Sequence, residues 1–171
     1  MSKKFSILPL LLLASKLFSQ NFISDKKEIN SFLLCSSSQP AVICIDPNDD
    51  WLVQKAASLL QTDIENVTDS KAELVNDFTG AKGTVIVIGS IEKSSLIKQL
   101  TQQKIINVSA LKNKWESFVI QSVPYMQKGN SNSPGGLLVI AGSDKRGTAY
   151  GVFELSEQIG VSPWYWWADV P

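Results

Sequence analysis

Two uninterrupted β-forming runs, Thr84–Ile88 (TVIVI) and Leu137–Ala141 (LLVIA), constrain this chain more than any other feature. A strand with one wet face alternates apolar and polar residues, whereas a run with no polar position belongs in the middle of a sheet covered on both faces. Glycine ends each run, Gly89 after the first and Gly142 after the second. Strands of this kind need helices to cover them, so the fold class is α/β.

The rest of the chain supplies those helices and further strands. Ser31–Cys35 and Ala41–Ile45 are short apolar runs on either side of SSSQP, a predicted hairpin. Asp46-Pro47-Asn48-Asp49 offers capping chemistry for a helix over 50–67, with Val53, Ala56, Ala57, Leu60, Ile64 and Val67 on its apolar stripe. A weak edge strand falls at Glu73–Val75, and Ser94 caps a short helix running to Gln102. Trp115–Val123 reads as a strand, and Tyr125–Gly136, rich in Gly, Asn, Ser and Pro, as an exposed hairpin loop. The last helix starts near Arg146 or Gly147. Ala149, Val152, Phe153 and Ser156 share one face, Leu155 and Ile159 lie beside it, and Gly160 takes the left-handed position before Pro163. The prediction is an α/β (α+β) sandwich of two or three layers, built on a mixed sheet of about five strands.

Lys3 and Lys4 precede the apolar stretch Ile7–Ala14, and residues 15–20 (SKLFSQ) follow it as a more polar exit. This stretch is well short of the roughly 20 apolar residues that span a bilayer, so residues 1–20 read as a cleaved export signal, implying a periplasmic or extracellular protein with no membrane span. Without residues 1–20, 13 basic and 16 acidic residues remain, a net charge of −3. No basic face is then available to replace phosphate counterions, which argues against a nucleic-acid partner. The chain contains no histidine, which excludes a histidine-based nucleophile system or histidine-ligated metal. With Ser36–Pro40 as a turn, Cys35 falls opposite residues near Ala41 rather than Cys44, so both cysteines read as buried free thiols; an oxidising compartment keeps a disulfide as the alternative.

Few residues carry a chemical signal. Gly142-Ser-Asp-Lys-Arg-Gly147 joins a strand to a helix, as a phosphate loop does, but Thr148 stands where the lysine of that motif belongs. Glu154 and Glu157 point away from the apolar stripe and read as a solvated face, and Asp49 and Asp50 as a helix start, so no acid–base pair emerges. Arg146 is the one arginine beside fifteen lysines. A forked guanidinium there either braces the loop, by a salt bridge to Asp144 or bonds to carbonyls, or meets a carboxylate of a partner domain or sugar acid. Pro163-Trp164-Tyr165-Trp166-Trp167 holds three of the five tryptophans and reads either as packing against another domain or as a platform for sugar rings.

The run GSDKRGTAYGVFELSEQIGVSPWYWWADVP closely resembles the end of the N-terminal domain of glycoside hydrolase family 115, the xylan α-1,2-glucuronidases. DDWLVQKAASLLQTDIENVT and KWESFVIQSV resemble earlier parts of that domain, and the likeness is weaker over 68–112. Asp144, Arg146, Gly147, Tyr150 and Gly151 are also similar to accessory domains that precede the barrel in hexosaminidases and other glucuronidases. Ala149 stands where the family has a larger aliphatic residue.

The resemblance implies inverting removal of glucuronic acid, or its 4-O-methyl ether, from xylan without a cofactor. Its catalytic acids would lie in a (β/α)8 barrel of the same polypeptide, so no catalytic residue is carried over to this chain. The resulting division is an export signal at 1–20, an accessory domain at 21–162, and at 163–171 the start of a linker to the absent barrel. Asp144, Lys145 and Arg146 become candidates to lie near substrate, and Trp164, Tyr165, Trp166 and Trp167 candidates to pack the domain junction. The rival expectations are a stand-alone carbohydrate-binding or scaffold domain and an inactive truncated product.

Overall fold

A computed structural model describes residues 23, 33–34, 40–79, 81, 83–125 and 135–162. The sheet consists of β1 (Val42–Ile45), β2 (Glu73–Val75), β3 (Val85–Ser90), β4 (Phe118–Tyr125) and β5 (Gly135–Gly142). Three helices accompany it: α1 (Trp51–Thr68), α2 (Ser95–Gln102) and α3 (Lys145–Gln158). The strand order is β2-β1-β3-β5-β4, with β4 alone antiparallel to its neighbour.

Strand alternation divides the core in two. Ile43, Ile45, Ile86, Ile88, Leu138 and Ile140 face α1 and α3. Val42, Cys44, Val85, Val87, Leu137 and Val139 face α2 and the turn at Ser109–Leu111. The two apolar runs are central strands buried on both faces, and the domain is a three-layer α/β sandwich. Each fully buried aliphatic side chain contributes roughly 1.5–3 kcal/mol, so these faces supply most of the driving force.

Several sequence expectations need correction. Ala41–Ile45 has no hairpin partner at 31–35: a strand has two edges, and β1 gives one to β2 and the other to β3. Leu33 and Leu34 lie outside any strand, while Cys35, the turn at 36–39 and the signal segment at 1–20 fall outside the described residues. Val67 and Phe153, expected on buried stripes, are exposed. The predicted strand at Trp115–Val123 begins instead at Phe118, opposite Gly142, where β5 ends and pairing stops. Gly160 has φ +104°, the left-handed conformation expected at a helix end. Within the predicted hairpin loop, Tyr125, Gly135 and Gly136 belong to the strands, and 126–134 lie outside the described residues.

Cys44 is a buried free thiol. Burial, with the nearby negative charges of Asp77 and Asp46, pushes its pKa up to about 12. We predict that alkylation of the native protein, mapped by mass spectrometry, leaves Cys44 unmodified until denaturant opens the core. The end of β5 is equally intolerant of change. A Cβ on Gly142 would lie 2.1 Å from the Thr148 amide nitrogen. Gly142→Ala should therefore destabilise the domain by about 2 kcal/mol or more in chemical denaturation.

Candidate functional site

The parallel strands β1, β3 and β5 end along one edge of the sheet, where three loops meet. Strand order reverses between β1 and β3, and ligands commonly enter open α/β sheets at such a point. Here the chain fills that position itself. Asp49, buried at the end of the first loop, accepts bonds from the Ser90 amide (2.7 Å) and hydroxyl (2.8 Å). Asp46 accepts from the Ser95 amide at 2.6 Å, from the Ser95 hydroxyl and from the Asn48 amide at 2.9 Å. Burial alone would push the Asp46 carboxyl up, but these bonds outweigh it and hold it below its ordinary value.

Each helix that starts on this edge meets a carboxylate from within the chain. Asp50 caps α1 through the Leu52 amide, and Asp46 sits on the first amide of α2. Asp144 caps α3, its Oδ1 accepting from the amides of Arg146 (2.9 Å) and Gly147 (2.8 Å). These are the positions a phosphate would take, so internal carboxylates remove the nucleotide reading of Gly142–Gly147.

Asp144 does more than cap. Its Oδ2 accepts from the Glu116 amide at 2.7 Å and the Ser143 hydroxyl at 3.2 Å. All four acceptor positions of the carboxylate are thereby used. Burial works against this charge, but the bonds from Gly147, Glu116, Ser143 and Arg146 prevail and depress its pKa. The segment it holds is strained, since Glu116 has φ +51°. The Glu116 side chain accepts from Arg146 Nη1 at 2.8 Å. The salt bridge expected between Arg146 and Asp144 therefore goes to Glu116, because Asp144 is committed to backbone amides. Gly147 is required beneath this arrangement, as a Cβ there would lie 2.3 Å from the Ser117 carbonyl oxygen.

A shallow depression of about 410 Å³ opens over this edge. It brings together all three candidate residues, Asp144, Lys145 and Arg146, with Lys93, Glu92, Asp50, Ser90 and Trp115. Lys93 (3.4 Å) and Lys145 (3.6 Å) share the carboxylate of Asp50. Sequence reasoning missed Trp115, Lys93 and Glu116. Trp115 looked like part of a strand, and nothing in the sequence marks the left-handed backbone at Glu116 that turns it outward.

Trp164, Tyr165, Trp166 and Trp167 lie outside the described residues. α3 begins at the depression and runs back along β5 for 14 residues, about 21 Å at 1.5 Å per residue. The chain therefore reaches Ser162 at the opposite end of the sheet from Arg146. Glu157 is exposed and Glu154 accepts a bond from Gln158, so neither contributes here.

An α/β/α domain whose strand-end edge is sealed by its own carboxylates is the class these features define. At 36% sequence identity and a TM-score of 0.58, the chain is similar to "a novel family GH115 4-O-methyl-alpha-glucuronidase, BtGH115A, with specificity for decorated arabinogalactans". The match covers 78% of this chain and 15% of that one. Over this segment the chain is thus related to glycoside hydrolase family 115. CpGH84D shares the fold at a TM-score of 0.54 and 16% identity, over 82% of this chain and 22% of its own. No family model matches, nor does any curated protein. Among the described residues no helix is long and apolar enough to cross a membrane.

The Asp144 network predicts a pH signature. Its carboxyl titrates below the ordinary 3.8 in the folded state, so the folded protein binds fewer protons there than the unfolded chain. The stability it contributes is present above that ordinary value and is lost as pH falls through the folded pKa. Asp144→Ala should cost about 2 kcal/mol at neutral pH. Urea titrations at decreasing pH should show parent and variant converging in acid.

Proposed function

We propose that this chain is an accessory domain of a glycoside hydrolase that removes (4-O-methyl)glucuronic acid side chains from polysaccharide, with hydrolysis performed by a barrel outside these residues. The observation that carries this reading is 36% identity over 78% of the chain to a GH115 4-O-methyl-α-glucuronidase. The local chemistry agrees. Glycosidases need one carboxyl kept protonated beside one kept ionised. Asp46, Asp50 and Asp144 are all held below their ordinary values and bound to helix starts, so none is suited to be that acid.

In this reading residues 1–20 export the protein to the periplasm or beyond, where polymeric substrate is found. Residues 163–171 lead to the barrel, with Trp164–Trp167 packed at the junction. Lys145 and Arg146 stand near the sugar acid at the strand-end edge, and Asp144 holds their loop in place. Xylan is the polymer implied by the sequence resemblance, and decorated arabinogalactan is the alternative suggested by the solved relative.

Incubating the 171-residue chain and a barrel-containing polypeptide with glucuronoxylan and with arabinogalactan tests this. Glucuronic acid should be released by the longer polypeptide alone, and release by the 171 residues would overturn the assignment of hydrolysis to another domain. Within the longer polypeptide, Arg146→Lys should lower kcat/KM by about tenfold if the guanidinium meets the sugar acid. Its folding should be essentially unchanged in chemical denaturation, because the pair with Glu116 is exposed.

A further inference from the structure

Trp115 is 82% exposed, more than any other large apolar side chain among the described residues. An indole left in water forfeits the burial that ordinarily stabilises it. Here the surrounding backbone holds it in that position. Asn113 (φ +58°) and Glu116 (φ +51°) flank it in left-handed conformations, which asparagine tolerates but which are unfavourable for glutamate. Bonds on the C-terminal side keep this geometry: Glu116 N to Asp144, Ser117 N to the Ser143 hydroxyl (3.0 Å), and Ser143 N to the Ser117 carbonyl (2.8 Å). The Ser117 hydroxyl donates to the Trp115 carbonyl at 3.1 Å. Non-glycine residues in this conformation persist only where surrounding structure imposes it, and they concentrate at ligand sites.

The indole lines the depression beside charged and hydroxyl-bearing side chains, among them Lys93, Lys145, Glu92 and Ser90. One flat apolar face ringed by donors and acceptors of both signs is the chemistry of a pyranose, which has a C–H face and a belt of hydroxyls. The core of a protein interface differs, being depleted of charge and desolvated around its aromatic anchor. We infer that Trp115 is the stacking platform of a saccharide-binding site, with Lys93, Lys145 and Glu92 bonding to hydroxyl or carboxylate groups around the ring. The site holds polysaccharide without cleaving it. The inference rests on the proposed function only for its choice of sugar.

Tryptophan fluorescence of the full chain, titrated with glucuronic-acid-bearing xylo-oligosaccharides, arabinogalactan fragments and undecorated xylo-oligosaccharides, tests the site. Saturable quenching by at least one saccharide is expected, with Trp115→Ala weakening the affinity by about tenfold or more. Trp51→Ala, which removes another exposed indole, should bind as the parent does. Circular dichroism checks that both variants fold, and Trp115→Phe, which keeps a stacking face, should recover most of the binding if the alanine variant does not. Unchanged affinity in folded Trp115→Ala, or no saturable response to any saccharide, overturns the inference. Loss of barrel association in Trp115→Ala with sugar binding intact overturns it in favour of a protein-docking role. Glucuronic acid release by the longer polypeptide reads the proposed function separately, so either can fail alone.

Discussion

The carboxylate of Asp144 joins three parts of the chain: the end of β5, the first turn of α3 and the segment entering β4. Remove those bonds and the amides of Arg146, Gly147 and Glu116 lose their partners, at a cost that buried or partly buried donors make steep. The close approach of Gly147 to Ser117 and the left-handed Glu116 both depend on this anchorage. The segment that carries Glu116 and Trp115 and the loop that carries Arg146 are both bonded to that one residue.

The same device recurs along the edge. Asp49 ties the β1 loop to Ser90, and Asp46 ties it to the start of α2. Loops that in many open α/β domains are left free to receive an anion are here bonded to one another. The cations at this edge are partly neutralised by Asp50 and Glu116.

How much was legible depended on the range of the interaction involved. The strands at 84–88 and 137–141, the edge strand Glu73–Val75 and all three helices follow from local patterns, and each is present. The hairpin expected at 31–45 is replaced by parallel pairing of β1 with β2 and β3, because adjacency in sequence does not place two runs side by side in a sheet. Arg146 was recognised as unusual from composition, but its partner was not, because Glu116 lies 30 residues away and Asp144, the near candidate, was already bound to amides. Trp115 was assigned to a strand by its apolar character and proved to stand in water.

The sequence by itself determined the α/β class, Asp50 and Ser94 at their helix starts, the glycine at 160 and the resemblance to family 115. These rest on steric preferences and hydrogen bonds spanning a few residues, which a linear pattern records. Only the tertiary structure decided the strand order, the filling of the strand-end crevice by Asp46 and Asp49, and the Arg146–Glu116 pair. It also decided that Trp115 faces outward, beside Lys93 and Lys145. Those features depend on which distant segments share an edge, and that follows from how the whole core packs.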